Sequence, residues 1–298
     1  MPPRTLARPS RLAAVRRACP PLLALLALTL GCGEAAPPAP APAAVKAAPV
    51  LAPEVKPPAT PHGRVFLVAG ESGLAPVACH LGHVPKFSQG DECLELVKVG
   101  SSVRLESGQV VKVTGEGKAE CGEGKAAVVD ALPEALRGHA VAPADVDFVE
   151  VIPPTTPDEA DKAADEPLRR RLREAVEREH PELAPAKGLK VRQVAQVDLD
   201  GDGKPETLVA VTVPGTGEDA PPAFAGLFHA PEGELAVRKL KGAAGTGVQY
   251  MLLGALDLDA DGRPELWLNT YDDDGFVWSV EKLGSVDLTE LGRRRCEA

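Results

Sequence analysis

The sequence predicts a mainly β protein: a small N-terminal β-domain, then a C-terminal β-sheet domain of two repeats with one covering helix. Three observations carry that prediction. Short β-rich runs recur through residues 63–152, one apolar stripe at helical spacing follows in 153–187, and two matching units of strand, acidic loop and strand lie within 188–298. The 30 prolines and 29 glycines are unevenly spread, so part of the 298-residue chain lies outside any packed core.

Residues 1–31 read as a signal peptide. They hold five arginines (Arg4, Arg8, Arg11, Arg16 and Arg17), no lysine and no carboxylate, and run into the apolar stretch Pro21 to Leu30. About ten apolar residues is half of the ~20 that a helix needs to cross a bilayer, which suits a cleaved leader better than a permanent anchor. The end of the stretch, Leu28-Thr-Leu-Gly-Cys32, resembles a bacterial lipobox, with Thr29 where leucine is usual. That resemblance implies that Cys32 is diacylated and holds the mature chain at a membrane. Ordinary cleavage near Gly31 or Ala35 would instead leave Cys32 as an unexplained thiol in an oxidising compartment. Gly33 stands where an inner-membrane retention signal has aspartate, which points to the outer membrane or cell surface, the periplasmic face included. Residues 32–62, mostly Ala and Pro, follow as a semi-rigid tether. At ~3.1 Å per residue it reaches up to ~90 Å.

With the leader removed, 28 basic residues stand against 43 acidic ones, a formal charge of about −15. Such a surface repels phosphate, and no basic stripe with interleaved aromatics appears in the mature region, so nucleic acid is excluded as a partner and a cation is the natural ligand. The four cysteines beyond Cys32 are Cys79, Cys93, Cys121 and Cys296, an even count that suggests two disulfides. Three pairings are open; the preferred one closes a local loop between Cys79 and Cys93 and ties the C-terminus from Cys121 through Cys296.

In 63–152, strands are expected at Arg64 to Ala69, Leu94 to Val99, Val103 to Leu105, Val110 to Thr114, Ala127 to Val129 and Val146 to Ile152. Ser107-Gly108 between alternating runs is the pattern of a hairpin. The duplicated Gly-Glu-Gly-Lys-Ala at 115–119 and 122–126 has neither the spacing nor the Ser/Thr of a phosphate loop and reads as turn chemistry. In 153–187 a helix is expected with Pro167 as its first residue and Leu168, Leu172 and Val176 on one stripe, covering an edge of the following sheet until His180-Pro181 ends it.

The strongest signal is a repeat. Asp198-Leu-Asp200-Gly-Asp202-Gly-Lys204-Pro-Glu206 returns 59 residues later as Asp257-Leu-Asp259-Ala-Asp261-Gly-Arg263-Pro-Glu265. Each copy sets carboxylates at positions 1, 3, 5 and 9 with glycine at 6, and the backbone carbonyl of Lys204 or Arg263 at position 7 adds an oxygen. Calcium asks for this pattern, because a hard cation takes six to eight oxygens and a loop turning sharply at glycine wraps alternate side chains inward. An EF-hand is excluded: position 12 is Val209 or Leu268 rather than a bidentate Glu, and the flanks Val191 to Val197 and Thr207 to Val213 are β-rich. Four carboxylates within nine residues repel one another unless a cation sits among them.

A strand, Asp-x-Asp-x-Asp-Gly-x-Pro-Glu and a second strand together resemble the FG-GAP and VCBS repeats, calcium-binding β-propeller units of integrin α-chains and many bacterial surface proteins. The resemblance covers about residues 190–285. It implies two Ca²⁺ sites, one with side-chain ligands Asp198, Asp200, Asp202 and Glu206, the other with Asp257, Asp259, Asp261 and Glu265. Glu206 and Glu265 stand where the family often has aspartate. Only two repeats are present and propellers close with four to eight blades, so a compact two-unit sheet assembly is expected in place of a ring. In the second unit, strands at Glu265 to Tyr271 and Phe276 to Leu283 flank a turn at Asp272 to Gly275.

Weaker signals are outweighed. Cys79-His80-x-x-His83 with Cys93 contains zinc-ligand types, but export favours a disulfide and the spacing is not that of a finger. Gly70-Glu-Ser72-Gly-Leu74 lacks the last glycine of a nucleophile elbow. Trp267, Trp278, Tyr250, Tyr271 and Phe276 read as core and cross-strand pairs before a glycan platform. The expectation is a non-enzymatic, calcium-binding envelope lipoprotein, a binding or structural module whose protein or glycan partner is unknown. The alternative is an envelope hydrolase or inhibitor with its site in 63–152, for which a cleft lined by His80 and His83 would speak.

Overall fold

The computed structural model describes residues 63–297 apart from 72, 83–85, 132–137, 154, 187, 218–219, 232–235 and 286. The signal peptide, Cys32 and the Ala/Pro tether lie outside the described residues, as do Ser72 and His83. Among the described residues the chain is mainly β, and no helix is long and apolar enough to cross a membrane.

Seven strands make the N-terminal part: β1 (Arg64–Gly70), β2 (Gly73–His80), β3 (Phe87–Gln89), β4 (Ser102–Leu105), β5 (Val110–Lys118), β6 (Lys125–Val129) and β7 (His139–Ala142). Hydrogen bonding runs β1-β7-β4-β5-β6-β2, and β2 also pairs with β1, so six strands close a barrel with β3 on the outside of β2. Closure removes the unpaired edges that a small sheet would expose. Strand alternation sends Val65, Leu67, Leu74, Val103 and Val111 inward, while Phe66, Val68, Ala75 and Val77 face the C-terminal sheets.

The expected hairpin is β4 to β5, where Gly108 takes φ 84° and Leu105 N–H bonds Gln109 C=O at 2.8 Å. Two expected strands are corrected. Leu94 to Val99 is not extended: Gly90–Leu96 is a 3₁₀ turn, and Cys93, Leu94 and Val97 plug the barrel interior. Val146 to Ile152 contributes only β8 (Glu150–Val151), which pairs with a C-terminal strand across Gly254 and Ala255 rather than with the barrel. Reading by pattern also missed β2, whose Pro76 argues against a strand; the register slips between Phe66 and Leu67 opposite it, a bulge that accommodates a residue without an N–H. The short, Ala-rich β7 carried no signal.

The C-terminal part holds two four-stranded antiparallel meanders. The first is β9 (Lys190–Val197), β10 (Glu206–Val213), β11 (Phe224–Ala230) and β12 (Arg238–Ala244); the second is β13 (Gln249–Leu256), β14 (Glu265–Asp272), β15 (Gly275–Leu283) and β16 (Leu288–Glu297). They pack face to face. Ala195, Leu208, Ala210 and Leu227 of the first meet Leu252, Ala255, Leu266 and Leu268 of the second. The second meanwhile turns Trp267 and Val280 to the barrel. Because β10 is covered on both faces, its burial runs unbroken from Leu208 to Val213, without alternation.

Two helices cover the outer face of the first meander, not its edge as expected. Helix α1 (Pro157–Ala163) starts at a Thr156/Glu159 capping box, and α2 (Glu166–Glu179) starts at Asp165, whose carboxylate accepts Leu168 N–H at 2.9 Å. Pro167 is therefore the second helical residue, one place later than expected. Leu168, Leu172 and Val176 are buried against Val191, Val209, Val211 and Phe224, and the fully buried Leu172 alone contributes about 2 kcal/mol. His180 ends the helix.

The four cysteines form two disulfide-compatible pairs, Cys79 with Cys93 (Cα to Cα 5.6 Å) and Cys121 with Cys296 (4.5 Å). The second pair ties β16 to the barrel. Beside it, buried Arg294 donates to the carbonyls of Pro76 (3.1 Å) and Cys121 (2.6 Å). Gly292 lets the strands approach, since a Cβ there would lie 2.5 Å from the Val77 carbonyl oxygen.

Candidate metal centre

Each acidic loop joins the first two strands of its meander, β9 to β10 and β13 to β14, and the two loops share one backbone design. Positions 4 and 6 are left-handed in both: Gly201 and Gly203 at φ 77° and 83°, Ala260 and Gly262 at 61° and 82°. Ala260 is the one non-glycine residue with positive φ among the described residues. The first aspartate organises the turn. Asp198 accepts the N–H groups of Gly201 and Gly203, both at 2.8 Å, and Asp257 accepts those of Asp261 (3.2 Å) and Gly262 (3.3 Å). The glutamate that opens the second strand reaches back across the loop, Glu206 to Leu199 N–H at 2.6 Å and Glu265 to Leu258 N–H at 2.7 Å. Leu199 and Leu258 are buried and pin the loops to the core.

Two carboxylate clusters result, Asp198 with Asp200 and Glu206, and Asp257 with Asp259 and Glu265. Within each, one oxygen per residue lies within 4.8 Å of the others. Such all-oxygen sets can hold a metal ion and suit a hard one. The position-5 aspartates sit differently from the other ligand candidates. Asp202 accepts the N–H (2.8 Å) and the ammonium (3.3 Å) of Lys204, and these bonds hold its carboxyl below the usual aspartate range. Asp261 accepts Arg263 N–H at 2.8 Å with one oxygen and turns the other toward the second cluster.

That second oxygen meets a cation supplied by the chain itself. Lys282, on β15, places its ammonium 2.5 Å from Asp259, 2.8 Å from Asp261 and 3.0 Å from Glu265. Phe87 lies over the same ammonium at 5.9 Å. Arg64 of the barrel bonds the Asp257 carbonyl and lies 3.9 Å from its carboxylate. Burial alone would disfavour the Lys282 charge, yet the three carboxylates outweigh it and hold the group above the ordinary lysine range. Glu265 is fully buried, and burial pushes its carboxyl up to about 7 against the opposing pull of Leu258 N–H and Lys282. Asp261, despite partial burial, is held below its ordinary value by Lys282 and Arg263 N–H.

Lys282 and Arg64 were not among the residues singled out from sequence. Arg64 is 193 residues from its partner and left no signal. Lys282 was countable: the tight turn pairs Asp272 with Gly275 and sets Leu266 opposite Glu281, so Glu265 and Lys282 face each other one step further.

A cleft of about 700 Å³ opens between the loops, lined by Asp200, Asp202 and Glu206 with Arg238, Arg263 and Lys282. Lys204 also lines it. In the barrel, Cys79 and Cys93 face each other, and His80 is buried against the Phe87 ring at 5.2 Å. Trp267 packs on Phe66 and Phe148, while Tyr271 and Phe276 form a cross-strand pair. No known family, curated protein or solved structure matches this chain.

Proposed function

We propose that this chain is a non-enzymatic, calcium-binding envelope lipoprotein, in which FG-GAP/VCBS-like meanders present a binding surface to a protein or glycan partner. One observation carries the reading: two loops of matching sequence and the same backbone course each bring three carboxylates within 4.8 Å of one another. Calcium there rigidifies the strand junctions around the cleft between the loops. The two disulfide-compatible pairs are compatible with export, and acylation of Cys32 would hold the chain at a membrane. The competing hydrolase or inhibitor reading looks to 63–152, where, among the described residues, the barrel interior is apolar and His80 is buried; that arrangement favours a binding module.

Calorimetric unfolding of the mature chain tests the calcium reading. Extracellular calcium modules bind at 10⁻⁴ to 10⁻³ M, so ~1 mM calcium at a ~0.1 mM site adds ~1.4 kcal/mol. That is a rise in Tm of roughly 3–6 °C over chelator for a domain of this size. Asp200→Asn with Asp259→Asn, one change in each loop, should remove most of the response. A wild-type Tm indifferent to calcium and chelator would withdraw the reading.

A further inference from the structure

We propose that the cleft between the acidic loops binds a zwitterion, an amino acid or short peptide whose carboxylate is taken by Arg238 and Arg263 and whose ammonium is taken by Asp200 and Glu206. The inference goes beyond the calcium reading and does not rest on it. All four side chains line one cleft of about 700 Å³, the size of a small-ligand site. They come from separate elements: Arg238 from the start of β12, Arg263 from the second loop, and Asp200 and Glu206 from the first. The loops abut where a Cβ on Gly201 would lie 2.5 Å from the Gly262 carbonyl oxygen, so Arg263 and Asp200 enter the same cleft.

Charges of opposite sign meet here without pairing. Among the described residues neither arginine has a carboxylate partner, and neither Asp200 nor Glu206 has a cationic one. Elsewhere Arg64, Arg173 and Arg295 pair with Asp257, Glu166 and Asp272, and within the cleft Lys204 pairs with Asp202 at 3.3 Å. Backbone groups hold three of the four unpaired side chains apart. Glu206 accepts Leu199 N–H at 2.6 Å, Asp200 accepts Asp202 N–H at 3.1 Å, and Arg238 donates to the Ser285 carbonyl at 2.9 Å. Arg238 is half-buried, and its Nε is buried without a hydrogen-bond partner. A partly desolvated guanidinium without an anion is unfavourable, and a ligand carboxylate matches its planar fork. An ammonium, with three donors and no acceptor, suits the two carboxylates. Leu199, Pro231, Pro264 and Leu283 also line the cleft and suit the aliphatic body between such ends.

Isothermal calorimetry of the mature chain tests this in metal-free, low-salt buffer, where no ion competes for Asp200 and Glu206. The probes are di-, tri- and tetra-alanine, whose ends lie up to ~7–14 Å apart, each free, N-acetylated and C-amidated. The best free peptide should bind with a Kd of about 1 mM or tighter, and blocking either end should weaken it roughly tenfold or more. Arg263→Gln should shrink the amidation penalty about threefold and leave the acetylation penalty as it is; Asp200→Asn should do the reverse. No binding by any free peptide, blocked forms that bind as tightly as free ones, or variants that weaken all forms alike would each overturn the inference. Both substituted positions are exposed, and should either variant fail to fold by circular dichroism, the blocked peptides on the wild type still decide. A negative result leaves the calcium dependence of Tm untouched, so the two readings fail separately.

Discussion

Gln193→Leu should separate the two meanders energetically. Gln193, on β9, is 4% exposed, and its side-chain amide donates to the Leu252 carbonyl and accepts from the Leu252 N–H, both at 2.8 Å. Leu252 is itself buried on β13, 59 residues on, the offset that separates the acidic loops. Leucine fills similar space but leaves both backbone groups of Leu252 without partners in a dry interface. Orphaning a buried polar group costs about 1–3 kcal/mol, and the apolar gain of leucine over glutamine returns about 1 kcal/mol, so the net loss is roughly 3 kcal/mol. Urea unfolding followed by tryptophan fluorescence reports it well, because Trp267 and Trp278 both lie in the second meander. The control is Gln196→Leu on the same strand: Gln196 is exposed and bonds only Thr207 Oγ1 at 2.9 Å, so its loss should stay below about 0.5 kcal/mol. Equal, small losses in the two variants would refute the argument, since the Leu252 groups would then have found other partners.

Three further outcomes are expected. At the fourth loop position the two copies should respond with opposite sign: Ala260→Gly relieves a left-handed alanine and should gain about 0.5 kcal/mol, whereas Gly201→Ala sets a Cβ 2.5 Å from the Gly262 carbonyl oxygen and should lose about 2 kcal/mol in urea unfolding. Lys241→Met should cost about 2 kcal/mol, because it strips the cation from fully buried Glu281, which keeps only Ser279 Oγ at 2.7 Å; the charge-free pair Lys241→Met with Glu281→Leu should recover much of that loss. Glu106 accepts from His139 at 2.8 Å, and that bond holds its carboxyl below 4.5. A lowered carboxylate stabilises the fold above its unfolded value and loses that contribution as pH falls through the folded one. Glu106→Gln should therefore flatten the fall in urea midpoint below about pH 4.5.

What the chain declares locally, it declares in sequence. The loops at Asp198 to Glu206 and Asp257 to Glu265 are legible because their geometry is made within nine residues, from left-handed positions that are mostly glycine and from carboxylates bonding N–H groups two to seven places away. The stripe Leu168, Leu172 and Val176 and the turns at Gly108 and Asp272 to Gly275 are legible for the same reason. Other features depend on partners far along the chain, which pattern does not record. Pro76 reads as a strand breaker until the bulge opposite Phe66 and Leu67 makes room for it, and Leu94 reads as strand until the barrel needs an end plug. The carboxylate spacing alone made the two acidic loops twins; folding distinguished them, because the charge beside a carboxylate is set by whichever side chain a neighbouring strand brings to it, and only beside the second loop, among the described residues, does Lys282 pair with the loop carboxylates.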